Sequence, residues 1–358
     1  MLFTYIVYNS VLLFTVIFCI LIERSRNRIS EYGFRTLLFL SLALPACLRK
    51  GIGTDYWNYV ILYRRYRDYA DDHELGFQWL AKICLFLDAH YQYFIIILTI
   101  LAIAPICYYI PKKNCSFFII TYFVLLYLDI IGTSRQDVSV AFIVCGIIAL
   151  YHNRGNLKYM FTGIIGFLFH YSSVMYFPLI LFKRIRLSYK MILILLGLTL
   201  CLTAGMGMIE WILNNPMFID SPYGAYLGNT QYITEAKVGS GMGILVNILI
   251  PILFIVLYPR SSKHIEHSGF YGILAIIFIG SYLLASKVHI FGRLVNVFIF
   301  VPAFLAYPTS KAISQKNHVL IFTGFMLLYM ILLEKAIAIN PISLGSGLGV
   351  SPYTSIFD

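Results

Sequence analysis

Arg49, Arg135 and Arg293 each stand at the end of an apolar run, on the side of the chain where a membrane protein does not normally collect positive charge. A guanidinium offers two parallel donors to a phosphate, so such a set on one face suits an anionic ligand held at headgroup depth. Arg49 opens the turn Leu48-Arg49-Lys50-Gly51-Ile52-Gly53-Thr54-Asp55-Tyr56, whose glycine spacing leaves backbone amides able to face an anion as well. Arg135 lies in Gly132-Thr133-Ser134-Arg135-Gln136-Asp137, just ahead of an apolar run whose helix dipole would also favour negative charge. Arg293 follows Lys287 and His289 on a short turn and leads into Leu294-Val295-Asn296. Each arginine has a structural reading too. Arg49 and Lys50 can snorkel to lipid headgroups, Arg135 can pair with Asp129 or Asp137, and Arg293 can anchor a helix end.

Proton chemistry needs a second set. His170 sits between Phe169 and Tyr171 in an apolar stretch, followed by Ser172 and Ser173. Imidazole accepts a proton near neutral pH, and an ionisable group at membrane depth tends to mark a site. The competing reading of His170 is a hydrogen-bonded packing residue. Asp55 and Glu74 could take the same proton, or be ordinary solvated carboxylates. Tyr56 and Trp57, next to Asp55, could stack on sugar rings. The acidic run Asp71-Asp72 with Glu74 reads as a solvated turn away from the arginines, and no Asp-x-Asp element occurs. No metal site or cofactor is expected. The 7 cysteines are scattered without Cys-x-x-Cys or Cys/His spacing, which makes them packing residues.

The elements that hold these residues must cross a bilayer. The chain is 60% hydrophobic and 12% charged, with a mean hydropathy of +0.81, which excludes a water-soluble domain. Its net charge of +11 follows from basic loops of the kind that face the cytoplasm, not from a nucleic-acid surface. Those loops are Glu23 to Arg35, Lys112 to Asn114, His152 to Lys158, Lys183 to Lys190, Arg260 to His267 and Lys311 to Asn317. The alternation gives an all-α polytopic protein of roughly ten crossings. Met1 to Ile22 lacks a basic leader and is followed by Arg24, Arg26 and Arg28, which places the N-terminus outside.

One stretch breaks the alternation, because Tyr159 to Phe182 has basic flanks at both ends that both read as cytoplasmic. It must enter and return as a re-entrant or paired short-helix hairpin turning at His170-Tyr171-Ser172-Ser173, with Pro178 bending the second arm. The outer segments are then 49–91, 132–136, 214–241, 286–293 and 334–358, within a single transmembrane domain, 1–358. Tyr56, Tyr59, Tyr63 and Tyr66 recur at helical spacing opposite Asn58, Arg65 and Asp68, so 49–91 contains an interfacial helix, followed by a second at Leu75 to Leu87. The loop 214–241 and the tail 334–358, rich in Gly, Pro, Ser and Tyr, are expected to be irregular and mobile.

In order, Arg49-x-Gly51-x-Gly53-Thr54-Asp55-Tyr56, Glu74-x-Gly76-Phe77, Arg135-Gln136, Phe169-His170-Tyr171-Ser172, Gly292-Arg293-Leu294 and Ser351-Pro352-Tyr353 resemble the EpsG-type branch of the Wzy polysaccharide polymerases. The resemblance runs the length of the chain. It implies a GT-C-like membrane glycosyltransferase at the periplasmic face of the bacterial inner membrane, making O-antigen or exopolysaccharide. Donor and acceptor would be repeat units on undecaprenyl pyrophosphate, and a flippase and a Wzz-type chain-length regulator would be further partners. His170, Arg135, Arg49, Arg293 and Asp55 become catalytic candidates; Lys50, Tyr56, Trp57, Glu74, Gln136, Tyr171, Ser172, Lys287 and Tyr353 become substrate-binding ones. A lipid-linked oligosaccharide flippase, an O-antigen ligase and a membrane acyltransferase are the competing classes.

Overall fold

The computed structural model describes residues 2–66, 74–151, 155–220, 224, 241–338 and 348–358, and every regular element among them is helical. Chain contacts divide the protein into two compact units, Met1–Ile180 with Met326–Asp358, and Leu181–Phe325. Six helices among the described residues are long and apolar enough to cross a bilayer, or up to eight if two bent pairs each count as one span. The protein is therefore a multi-pass helical membrane protein. Full-length spans are fewer than the roughly ten expected because several apolar runs are broken inside.

The first unit begins with α1 (Leu2–Arg24), α2 (Arg28–Leu48), α3 (Tyr56–Arg65) and α4 (Leu75–Phe86). It continues through α5 (Tyr91–Tyr109), α6 (Cys115–Ala149) and α7 (Gly155–Phe169). Asn27 caps α2 by accepting from the Ser30 amide, so the helix starts at Arg28 and Arg35 lies inside it, not in the loop expected there. The tyrosine spacing of α3 does turn Tyr56, Tyr59 and Tyr63 inward, with Asn58 and Arg65 on the exposed side.

Helix α6 carries the main departure. At 35 residues it would run about 52 Å, far beyond a bilayer core of about 30 Å. Two helices in fact meet at Thr133, whose φ of −129° and ψ of 38° are not helical. The outer loop expected at Gly132–Gln136 is thus reduced to one residue. Its hydroxyl reaches the Asp129 carbonyl and the Asp137 carboxyl, both at 3.3 Å, and such side-chain competition bends a helix.

The entering-and-returning stretch is present as two antiparallel arms. The second arm is a 3₁₀ helix, Tyr171–Phe182, containing Pro178. Tyr159 stacks on Tyr176 at 3.9 Å between ring centroids and donates to the Tyr176 carbonyl. A Cβ on Gly163 would stand 2.9 Å from the rings of Tyr176 and Phe177, so the arms close only over glycine.

One end of this unit brings together the two loops assigned to the same side. Lys112 donates to the Ser25 carbonyl, and Ser116 donates to Glu23 through both its amide and its hydroxyl, at 2.9 and 2.8 Å. Arg35 ties the same end by donating to the carbonyls of Cys107 and Ile110 at 2.7 and 2.9 Å. The opposite end holds the candidate residues.

In the second unit, α8 (Tyr189–Ala204) and α9 (Met206–Leu213) divide the apolar run from Met191 to Leu213 in two. Gly205, at ψ 153°, is extended and ends the first of them. After α10 (Pro216–Ile219) come α11 (Met242–Val256), α12 (Tyr258–Ser261), α13 (Ser268–Ala285), α14 (Gly292–Phe298) and α15 (Val301–Ile313), and α16 (His318–Ala338) begins in this unit while its residues from Met326 on belong to the first. Of the expected outer loop 214–241, residues 221–223 and 225–240 lie outside the described residues, as do Asp71-Asp72 and positions 339–347 of the tail.

Candidate functional site

The turn after α2 is clamped on both sides. Gly53 has φ +102°, and a Cβ there would lie 2.3 Å from the Ile131 carbonyl oxygen, so the chain passes the α6 kink only as glycine. From that crossing the Asp55 amide donates to Gly132 O at 3.2 Å. On the other side lies the described end of the tail, 348–358, irregular as expected but held by hydrogen bonds, whereas 334–338 of the expected tail are helical. Gly53 N donates to Gly349 O at 2.7 Å, Thr54 N to Leu348 O at 3.1 Å, and Lys50 N to Thr354 O at 3.1 Å. Tyr353 is buried, its amide bonded to Thr4 and its hydroxyl to Pro45 O at 2.8 Å, which makes it a strut of the tail.

Arg49 stands under this turn, 1% exposed. Its guanidinium donates to the Ala46 carbonyl, to Thr99 Oγ1 at 3.0 Å and to Ser134 Oγ at 2.8 Å, while Nε has no partner. Among the described residues all its partners are neutral oxygens and none is a counter-ion. A buried cation without a counter-ion is costly, several kcal/mol even after relaxation, so it leaves a positive potential that the surrounding fold does not cancel. The Gln92 amide braces the backbone below, reaching the carbonyls of Cys47 and Arg49 at 2.8 and 3.2 Å, and accepts from Tyr56 at 2.9 Å.

The next residue after Ser134 is the second arginine. Arg135 pairs with Glu74 at 2.8 Å and lies over the Phe77 ring at 5.2 Å. This corrects two expectations: its partner is neither Asp129 nor Asp137, and Glu74 is not a solvated carboxylate away from the arginines but is 6% exposed. Glu74 also accepts from the Tyr171 amide at 3.4 Å, so it fastens the hairpin apex to Arg135. Gly76, whose Cβ would meet Leu168 O at 2.8 Å, allows that approach. Arg135 keeps 21% side-chain exposure and opens onto a cavity of about 360 Å³, shared with Asp55, Asn58, Tyr59 and Arg65. Tyr59 bridges the two sides, donating to Asp55 at 3.3 Å and accepting from the Arg135 amide at 3.2 Å.

His170 is buried at the apex. Its Nδ1 lies 3.3 Å from the Ser172 amide and 2.6 Å from the Ser172 hydroxyl. An amide can only donate, so Nδ1 accepts and the neutral ring carries its proton on Nε2. In this tautomer Nε2 presents a donor and no free lone pair.

The EpsG family matches residues 32–355. The chain belongs to the EpsG family. Family membership over nearly the whole length suggests a polysaccharide polymerase-type membrane protein acting on lipid-linked substrates. No curated protein and no solved structure matches this EpsG-family chain.

Within the first unit the structure brings together Arg49, Asp55, Tyr56, Glu74, Arg135, Tyr171 and the His170–Ser172 apex. Lys50 and Trp57 are exposed beside the turn, and Gln136 is buried next to Arg135. Arg293, in the first turn of α14, and Lys287, in the turn after α13, are half-buried and belong to the second unit. Thr99, Ser134 and Gln92 escaped the sequence reading as site residues, since neutral residues beside or within apolar runs give no signal until a charged partner is located, and Tyr59 was read there only as part of the inward face of α3. Among the described residues no group of three or more His, Cys, Asp or Glu is placed to hold a metal ion.

Proposed function

We propose that this protein is a polysaccharide polymerase, transferring a growing glycan from undecaprenyl pyrophosphate to an incoming undecaprenyl-pyrophosphate-linked repeat unit. One observation carries the reading: Arg49 is buried among neutral oxygens with a donor left over, bonded to the hydroxyl of Ser134, the residue that precedes the cavity-facing Arg135. Such a pair suits an anion arriving from outside the fold. A lipid-linked pyrophosphate is an anion that grows more negative as its glycosidic bond breaks.

In the transfer, the C–O bond to pyrophosphate breaks and its electron pair leaves on the phosphate oxygen. The acceptor hydroxyl oxygen forms the new C–O bond. Arg135 touches the departing phosphate, and Arg49 strengthens the potential from beneath the turn, favouring the transition state over the ground state. The hydroxyl proton passes to Asp55, a carboxylate lining the same cavity, whereas His170 Nε2–H donates to a sugar or phosphate oxygen. The arginines take the part of a metal, so the transfer is metal-independent. Lys50, Trp57, Gln136 and Tyr171 contact the substrate. Arg293 and Lys287, in the second unit, bind lipid-linked substrate through its phosphate oxygens.

On this reading the bent pairs count as crossings and the broken apolar run 189–213 adds another, which brings the crossings toward ten in a GT-C-like architecture. The protein lies in the bacterial inner membrane, with its arginine face periplasmic. A flippase supplies the repeats, and a Wzz-type regulator sets chain length. The surface glycan of a deletion strain tests the assignment. Loss of the ladder with a single repeat still attached supports a polymerase, and loss of all attached repeats contradicts it in favour of a flippase or a ligase.

A further inference from the structure

The second unit contains a cavity that the proposed transfer does not use. It has a volume of about 430 Å³ and is lined by Lys183, Arg184 and Arg186 from the strap after the 3₁₀ helix, with Tyr258, His267 and Ser268 opposite. Among the described residues no acidic side chain lines it. The strap is pressed onto the start of α13, because a Cβ on Gly269 would lie 2.4 Å from Ile185 O. That approach sets the strap's cations against a helix N-terminus, where the dipole adds to the positive potential. His267, in the left-handed conformation at φ 56°, makes no side-chain cap bond there. Tyr258 is buried and fixes the far wall, its hydroxyl 3.2 Å from Ser268 Oγ and 3.4 Å from Leu187 O.

A basic loop at a membrane surface needs no ligand to explain it, since charge bias alone sets insertion. Charge bias explains the number of cations but not their shape. Here three of them border a concave site that also has hydroxyls and a helix start, while Lys190 and Arg260 nearby are exposed and outside the cavity. Cations, hydroxyl donors and helix amides together match the oxygens of a phosphate ester. We propose that this cavity is a phosphate-binding site, distinct from the Arg49–Arg135 site, taking a phosphate ester such as an anionic phospholipid headgroup or a soluble phosphate compound.

Native mass spectrometry of the full-length protein in neutral detergent tests this with three probes: phosphatidylglycerol, phosphatidylcholine and inorganic phosphate. Wild type should bind phosphatidylglycerol saturably. The double variant Arg184→Gln/Arg186→Gln, at exposed positions whose loss should leave folding intact, should weaken that binding about tenfold or more. Lys190→Gln/Arg260→Gln removes the same charge outside the cavity and should change it less than about twofold. Displacement of the lipid by inorganic phosphate assigns the site to soluble phosphates, and its persistence assigns the site to a headgroup. Equal weakening by the two double variants, or no saturable binding of phosphatidylglycerol or phosphate, overturns the proposal; so does phosphatidylcholine binding as tightly as phosphatidylglycerol.

Discussion

Helix α2 buries an arginine near each end, and the two sit in opposite circumstances. Arg35 is 3% exposed, pairs with Glu31 at 2.9 Å and donates to two carbonyls at the end of α5. Its charge is neutralised, and its donors close a helix terminus that would otherwise lack partners. Arg49 is 1% exposed, has no carboxylate partner among the described residues, and keeps Nε bare. Burial of an arginine is therefore not by itself a sign of function. What separates the two is whether the local fold consumes the charge.

If that distinction is right, substitutions near Arg49 should change chemistry more than stability, and those near Arg35 the reverse. The largest effect is expected at the proton acceptor. Asp55→Asn keeps the N-terminal position of α3 but removes the base, and polymerisation should fall about 10²- to 10⁴-fold, read as chain length and rate on lipid-linked repeats. His170→Gln should be milder than Asp55→Asn, because a side-chain amide can still accept from Ser172 and donate in place of Nε2–H. A larger loss in His170→Gln would return the base role to the imidazole.

Next comes Arg135→Lys, which keeps the charge and loses the planar fork; activity should drop about 10²- to 10³-fold with near-normal expression. Near-wild-type chain length would reduce Arg135 to an anchor for Glu74. Gly53→Ala is the exception on the Arg49 side, since it forces a side chain into φ +102° against Ile131 O. Strain on the order of 1–3 kcal/mol should lower the thermal midpoint and the activity together. The smallest effect concerns metal: excess EDTA should leave the rate of the purified protein unchanged. Activity abolished by chelation and restored by a divalent ion would break the assignment of leaving-group charge to arginines.

Much of this end of the molecule was legible in the sequence. Hydropathy gave the helical class, tyrosine spacing gave the inward face of α3, and basic flanks gave a hairpin folding at His170. Each is a local periodicity or a charge count, which a single chain records directly. The pairing of Arg135 was not legible. Asp129 and Asp137 are its near neighbours in sequence, whereas Glu74 lies 61 positions away and became a partner only through the glycine contact at Leu168. The irregular tail was read as mobile because its composition lacks periodicity, yet five hydrogen bonds described above tie it to the Arg49 turn and to α1 and α2. The break falls at Gly205, inside an apolar run that hydropathy reads as continuous.

The comparison between the two arginines also supplies the most direct test of the central claim. Arg35→Met strands Glu31 and two helix-end carbonyls, so it should lower stability on the order of 2–3 kcal/mol while each folded molecule keeps near-normal activity. Arg49→Met removes a buried charge with no counter-ion and should fold at least as well as wild type. Its polymerisation rate, normalised to folded protein by thermal unfolding and measured on lipid-linked repeats, should fall about 10²- to 10³-fold. A well-folded Arg49→Met protein with wild-type rate and chain length would contradict the account, because the unneutralised charge beneath the turn would then have no part in the transfer.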